Sequence, residues 1–167
     1  MNDEQQIVQA VLDSYGLRDA GTELLGSLWN HVYRVEAEDG RAYSLRLCAA
    51  AVQDSRSVEE ELRWLEWVAS RNQVRVPHPV RSRQGELLTA IAVPGGKRLS
   101  CLFEWVPGEP ARKNLTPAVM REIGQAVASL HVGAREFSGR MRASGFRSGY
   151  QYGSQLAASH LEWIAAR

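Results

Sequence analysis

The order of the apolar patterns along the chain constrains its fold more than any other sequence feature. Three short segments with the two-residue period of a β-strand follow one another at 23–26, 32–37 and 42–48. A segment of helical period comes next, at 58–70, and a second strand-like pair spans 86–105 around a Pro-Gly-Gly turn. This order predicts an α+β unit whose five-stranded antiparallel sheet has one helix inserted after the third strand.

Local signals support these boundaries. Asp39 and Gly40 separate the second and third segments, and both residue types tolerate the positive φ of a tight hairpin turn. Upstream of the first strand, Asn2 or Asp3 can cap a short amphipathic helix, and Gly16 is placed to end it. The chain is therefore predicted to open with a lead-in helix before the sheet begins.

The second half of the chain is predicted to be helical. Thr116 followed by Pro117 is a cap with proline at the first helical position, which predicts a helix to about Ala134. The Gly-, Ser- and Arg-rich stretch at 137–154 indicates a loop, and 156–166 has helical spacing again.

Charge and targeting signals exclude several classes of partner. The 167 residues carry 20 basic and 19 acidic side chains, so there is no large field to attract a nucleic acid. The first residues are acidic and no apolar run has the length of a membrane span, which predicts a cytoplasmic protein with no membrane partner. Cys48 and Cys101 lack metal-ligand spacing, so we expect buried free thiols and no metal site.

Five stretches matter together and in order: GSLWNHVYRV at 26–35, YSLRL at 43–47, EELRWL at 60–65, LFEWVPG at 102–108 and IGQAVASLH at 123–131. They resemble parts of the aminoglycoside phosphotransferase family of small-molecule kinases. The first two resemble its first three strands, the third its helix, the fourth its hinge, and the fifth the first long helix of its large lobe. No single motif is specific, so the resemblance depends on their colinearity.

The resemblance implies a protein-kinase-like small lobe at 1–106, followed by a hinge and an incomplete helical large lobe at 107–167. The implied activity is ATP-dependent phosphorylation of a small-molecule hydroxyl, with Mg²⁺ in full-length relatives. Nucleotide and a small-molecule hydroxyl acceptor are the partners that follow, while ATP and GTP are not distinguished.

The resemblance also implies a cation for the phosphates at Arg46, because the family places a Lys or Arg on the third strand. Arginine keeps its charge and can donate to two oxygens at once. A helix carboxylate would hold such a cation, and Glu61 is the first choice, with Glu60 as its competitor. The alternative is a strand arginine that points to solvent beside a solvated helix start.

The turn at 26–30 is the candidate phosphate cover. Gly26, Ser27 and Asn30 would let backbone N–H groups approach the phosphates, because a small residue admits close contact. A plain β-turn is the alternative interpretation.

The segment at the end of the last strand is the candidate adenine site. The resemblance places Glu104, Trp105 and Val106 where backbone hydrogen bonds would meet the base between apolar walls. A buried strand end with packed aromatic side chains fits the same pattern, and the sequence does not separate the two.

The catalytic groups of such kinases have no match in the sequence. No aspartate follows Asp54 and no asparagine follows Asn114, so the expected His-x-Asp-x-x-x-x-Asn loop and the metal-binding Asp are absent and no catalytic residue is assigned. We therefore expect a truncated, inactive form. The alternative is a non-catalytic nucleotide- or protein-binding module that associates, with itself or a partner, through exposed large-lobe helices.

Overall fold

The computed structural model describes residues 3–49, 55–71, 74–108 and 115–141. The secondary-structure elements, in chain order, are α1 Asp3–Tyr15, β1 Gly21–Gly26, β2 His31–Glu36, β3 Ala42–Leu47, α2 Ser55–Arg71, β4 Pro79–Val80, β5 Thr89–Val93, β6 Gly96–Glu104 and α3 Pro117–Met141. Within these ranges, no helix is both long and apolar enough to cross a membrane.

The sheet is antiparallel and has the order β1-β2-β3-β6-β4, with β5 also paired to β6. β3 pairs with residues 100–104 of β6, so β4 and β5, which pair with 102–103 and 96–100, share the opposite edge of that strand. Within the part of the chain that the structure describes, the sheet therefore has six strands rather than the predicted five. The position beside β6, opposite β3, is divided between β4 and β5. The chain leaves this edge of β6 at residues 81–88 and then returns to it.

The lead-in helix α1 ends as predicted at Gly16. Gly16 has a φ of 78°, and its N–H donates to the carbonyl of Asp13 while the N–H of Leu17 donates to that of Leu12. This pair of bonds is the Schellman motif, which satisfies the last free carbonyls of a helix. The chain thereby leaves α1 at Gly16 and turns toward β1.

The two faces of the sheet pack against different helices. Tyr43, Leu45 and Leu47 of β3 lie in one buried cluster with Val11 and Leu12 of α1. Cys48 belongs to a second cluster, which includes the α2 side chains Val58 and Leu62 and the β6 side chains Leu99, Cys101 and Phe103. Because successive strand residues face opposite sides, Arg46 lies on the same face as Cys48, toward α2.

The helices α2 and α3 are longer than predicted. α2 begins at Ser55, three residues before the predicted start, and α3 continues to Met141. The first five residues of the predicted loop at 137–154 are therefore helical, and the rest of that range lies outside the described residues. Thr116 caps α3 as predicted, since its Oγ1 accepts the N–H of Val119 at 3.3 Å. The helix predicted at 156–166 lies outside the described residues, and the division into lobes at 106 stays a prediction.

Candidate nucleotide-binding site

Arg46 lies on the α2-facing side of β3 and is mostly enclosed, with 19% of its side chain exposed. Its Nη1 lies 2.7 Å from Oε1 of Glu61 and its Nη2 lies 3.2 Å from Oε2. This is a two-pronged ion pair between strand and helix, the geometry in which a guanidinium and a carboxylate bind most strongly. The structure thus brings together the cation and the carboxylate that the sequence singled out.

The three consecutive glutamates of α2 point in three directions, because successive helical residues are rotated by about 100°. Glu60, the competing candidate, is buried and pairs with Arg56 at 3.2 Å. Glu59 pairs with Arg63 at 3.5 Å. Glu61 alone of the three contacts Arg46 among the described residues.

Two further contacts to Arg46 were not anticipated from the sequence. Nε of Arg46 donates to Sγ of Cys101 at 3.2 Å, and its Cζ lies 5.4 Å from the centre of the Phe103 ring. Burial opposes the charged guanidinium, but its hydrogen bonds to Cys101 and Glu61 and the charge of Glu61 outweigh that effect and raise the pKa of Arg46. Arg46 therefore carries a fixed positive charge at this end of the sheet.

The turn between β1 and β2 lies at the same end of the sheet as Arg46. Val32 is the β-sheet partner of Arg46, and Asn30 accepts the N–H of Ala49, just beyond β3, at 3.1 Å. The side chain of Asn30 therefore anchors the base of the turn to the end of β3. This is a different use of Asn30 from the predicted cover over the phosphates.

The rest of the turn is open. A Cβ added to Gly26 would meet nothing within 4 Å, and Ser27 is exposed. Leu28 and Trp29 are 90% and 80% exposed, which is unusual for large apolar side chains. The register shifts between Leu24 and Gly26, so the end of β1 departs from regular pairing before the turn.

The predicted adenine site has two of its N–H groups already engaged. The N–H of Glu104 donates to the carbonyl of His78 at 2.9 Å, and the N–H of Trp105 donates to that of Ala42 at 3.2 Å. The indole of Trp105 is covered by Arg34, whose Cζ lies 5.0 Å from the ring centre. An adenine at this edge would therefore need a different N–H, and Val106 provides the next one along the chain.

The described residues contain no group of three or more His, Cys, Asp or Glu side chains that could hold a metal ion. Cys48 and Cys101 are free and buried, as predicted.

Comparison with known proteins assigns the chain to a family. A sequence model described as the phosphotransferase enzyme family, APH, matches residues 21–165. An uncharacterized protein of Deinococcus radiodurans is 33% identical over 128 residues, and one of Synechocystis sp. is 34% identical over 108. These matches cover 77% and 64% of this chain but 36% and 29% of the relatives, so the chain spans about a third of their length.

Two solved kinase structures share the fold. A microcompartment-associated aminopropanol kinase matches 76% of this chain and 39% of its own, with a TM-score of 0.65 and 29% identity. An amicoumacin kinase in complex with AMP-PNP, Ca²⁺ and Ami matches 70% and 34%, with a TM-score of 0.60 and 25% identity. With a family match that covers most of its length, and with this kinase-like α+β fold, the chain belongs to the phosphotransferase enzyme family known as APH.

Proposed function

We propose that this chain is the nucleotide-binding part of an ATP-dependent small-molecule kinase. The observation that carries the proposal is the two-pronged ion pair between Arg46 and Glu61, at the same end of the sheet as the open turn at 26–30. Phosphoryl transfer requires positioning and charge compensation more than covalent participation, and these groups supply both.

The ion pair leaves Arg46 able to bind a second anion. A guanidinium has one N–H on Nε and a pair on each terminal nitrogen. Cys101 takes the first, and Glu61 takes one from each pair, so one N–H on each terminal nitrogen is left by these partners. We assign those two donors to phosphate oxygens of the nucleotide.

The turn supports the same assignment through the space above Gly26. A small residue with no neighbour is not required by packing, but it admits the close backbone approach that a phosphate needs. We therefore assign backbone N–H groups of the turn, including that of Ser27, to the phosphates. Asn30 is not assigned a contact with the phosphates; its side chain holds the turn to the end of β3.

The base would meet the chain after β6. Since the N–H groups of Glu104 and Trp105 are bonded within the protein, we assign the donor for adenine to Val106. The side chains of Glu104 and Trp105 then line the adenine site but do not hydrogen-bond to the base.

The acceptor and the metal follow from relatives. One solved kinase is named for aminopropanol, and the other, named for amicoumacin, was solved with AMP-PNP and Ca²⁺. A small-molecule hydroxyl acceptor and Mg²⁺ are accordingly part of the proposal for the family reaction. No residue of this sequence is assigned as the catalytic base, because no aspartate follows Asp54.

A nucleotide titration tests the proposal. We expect the chain to bind ATP, and Arg46→Ala to weaken binding roughly 10- to 100-fold, the range for loss of charged hydrogen bonds. Arg63→Ala removes the same charge from an exposed position of α2 and should leave the affinity unchanged. Titrations with and without Mg²⁺ measure any contribution of the metal. No binding by the wild-type chain, or equal loss in both variants, would contradict the proposal.

A second candidate is a non-catalytic module that binds a partner protein or itself. It is supported by exposed apolar side chains on and before α3, which are Leu115, Met120, Ile123, Val127 and Val132. Sedimentation with and without Val127→Asp distinguishes it, since a contact through this face would weaken in the variant while nucleotide binding would not change. Cytoplasmic location stays a prediction.

A further inference from the structure

The contact between Arg46 and Cys101 follows from the register of the sheet. Arg46 of β3 is the direct β-sheet partner of Cys101 on β6, so the two side chains leave the sheet together on the α2 face. The Arg46 Nε to Cys101 Sγ distance of 3.2 Å is that of a hydrogen bond in which Nε–H donates. Phe103, two residues along β6, adds its ring to the same guanidinium.

The two ends of the guanidinium are held by partners of different rigidity. Glu61 has 45% of its side chain exposed, so its carboxylate can change rotamer at the surface of α2. Cys101 has 0% of its surface exposed, and its sulfur lies on a strand paired on both sides. A contact to a buried strand residue fixes a position more firmly than one to an exposed helix side chain.

The chemical state of Cys101 suits an acceptor. Burial raises the pKa of its thiol to about 12, against the opposite effect of Arg46. The sulfur is therefore a neutral thiol that accepts weakly and adds no charge to compete with a phosphate for the guanidinium.

We propose that Cys101 is a positioning residue for Arg46, which fixes Nε so that N–H groups of the terminal nitrogens not bonded to Glu61 face the nucleotide phosphates. The role in binding rests on the proposed function, whereas the positioning of the guanidinium does not. Glu61 supplies charge and the outer hydrogen bonds, and Cys101 supplies the fixed inner one.

The first test measures the guanidinium itself. In ¹⁵N NMR spectra of the full chain, assigned by loss of the signal in Arg46→Lys, the Arg46 Nε–H should exchange with water more slowly than that of exposed Arg63. Cys101→Ala should remove this protection, and Cys101→Ser, which keeps an acceptor of similar size, should restore it. Ser100→Ala changes the neighbouring β6 residue, whose side chain lies on the opposite face and bonds to Thr89, and should leave the signal as in the wild type.

The second test measures ATP affinity in the same variants. Cys101→Ala should weaken binding about threefold to tenfold, as expected for one net hydrogen bond, and Cys101→Ser should recover most of the loss. Unchanged Nε–H protection in Cys101→Ala, failure of serine to restore it, or equal loss in Ser100→Ala would overturn the proposal. If the wild-type chain binds no ATP, the proposed function fails, and the NMR comparison still decides the role of Cys101. If the Arg46 Nε–H of the wild type exchanges with water as fast as that of Arg63, the proposed role of Cys101 is overturned. This outcome holds even if the alanine variant does not fold.

Discussion

The cation on β3 and the turn between β1 and β2 lie at the same end of the sheet, but the protein holds them to very different degrees. Arg46 contacts Glu61, Cys101 and Phe103, and every one of these contacts is made by the folded chain alone. The turn is anchored only at its base among the described residues, by Asn30, and β1 is exposed along its whole length.

This difference indicates how much each part of the proposed site contributes to nucleotide affinity. A guanidinium that is already oriented loses little further freedom when an anion binds, which favours affinity. A turn with no packing partner can adjust to the phosphates, but it must be ordered by the ligand and so contributes less. We therefore expect substitutions on the β3 side to have larger effects on nucleotide binding than substitutions in the turn.

Arg46→Lys should give the largest effect of the variants that separate geometry from charge. Lysine keeps the positive charge but loses the fork to Glu61 and the Nε–H to Cys101, so we expect ATP affinity to fall about tenfold. Calorimetric titration beside Arg46→Ala measures how much of the site depends on orientation. If the lysine variant binds ATP as tightly as the wild type, the orientation of the Arg46 guanidinium does not contribute to the affinity.

Glu61→Gln should weaken ATP binding by a smaller amount, about fivefold, since the amide retains one acceptor but loses the charge that holds Arg46. The matched control is Glu59→Gln, two residues earlier on α2, where the carboxylate pairs with Arg63 instead. Equal effects of the two substitutions would show that only the net charge of α2 matters.

Gly26→Ala tests the open turn. The added methyl group meets no protein atom, so the free energy of unfolding should change by less than about 0.5 kcal/mol, while ATP binding weakens about threefold because the backbone cannot approach as closely.

Gly16→Ala is the opposite control. Its φ of 78° and the Arg83 Nη2 atom at 2.7 Å from an added Cβ predict a loss of about 1 to 2 kcal/mol in stability with no change in nucleotide affinity. If Gly26→Ala destabilises the fold as Gly16→Ala does, then the turn is a structural feature and not a binding one.

Glu4 lies away from the proposed site, and its contribution is to the stability of the fold. This α1 carboxylate accepts hydrogen bonds from Tyr33 and His31 of β2. Burial opposes its charge, but these bonds outweigh burial and lower the pKa of Glu4 below its ordinary 4.5. Its stabilisation is therefore complete above pH 4.5 and is lost as the pH falls through the lower pKa of the folded state.

Urea unfolding of the wild type and of Glu4→Gln at several pH values checks this sign. The difference in stability should be about 1 kcal/mol at neutral pH and should shrink below pH 4.5. A difference that grows in acid would contradict it.

Much of the fold could be predicted because its signals are local. The Asp39-Gly40 hairpin, the end of α1 at Gly16 and the cap at Thr116 each depend on the conformational preferences of a few adjacent residues. The division of the fifth sheet position into β4 and β5 could not be predicted in the same way. It depends on where a two-residue strand meets the far edge of β6.

The sequence by itself determined the order of the described helices and of every strand except β4, the family, and the choice of Arg46 and Glu61. Periodicity, turn residues and colinear motifs are all readable along one chain. Only the tertiary structure decided that Cys101 and Phe103 hold Arg46, that Glu60 turns away to Arg56, and that Asn30 anchors the turn. Contacts between β3 and β6 join residues that are more than fifty positions apart, and a shift in register by one residue would present the other face of each strand. Such pairings are fixed by packing of the whole sheet against α1 and α2, which no local pattern encodes.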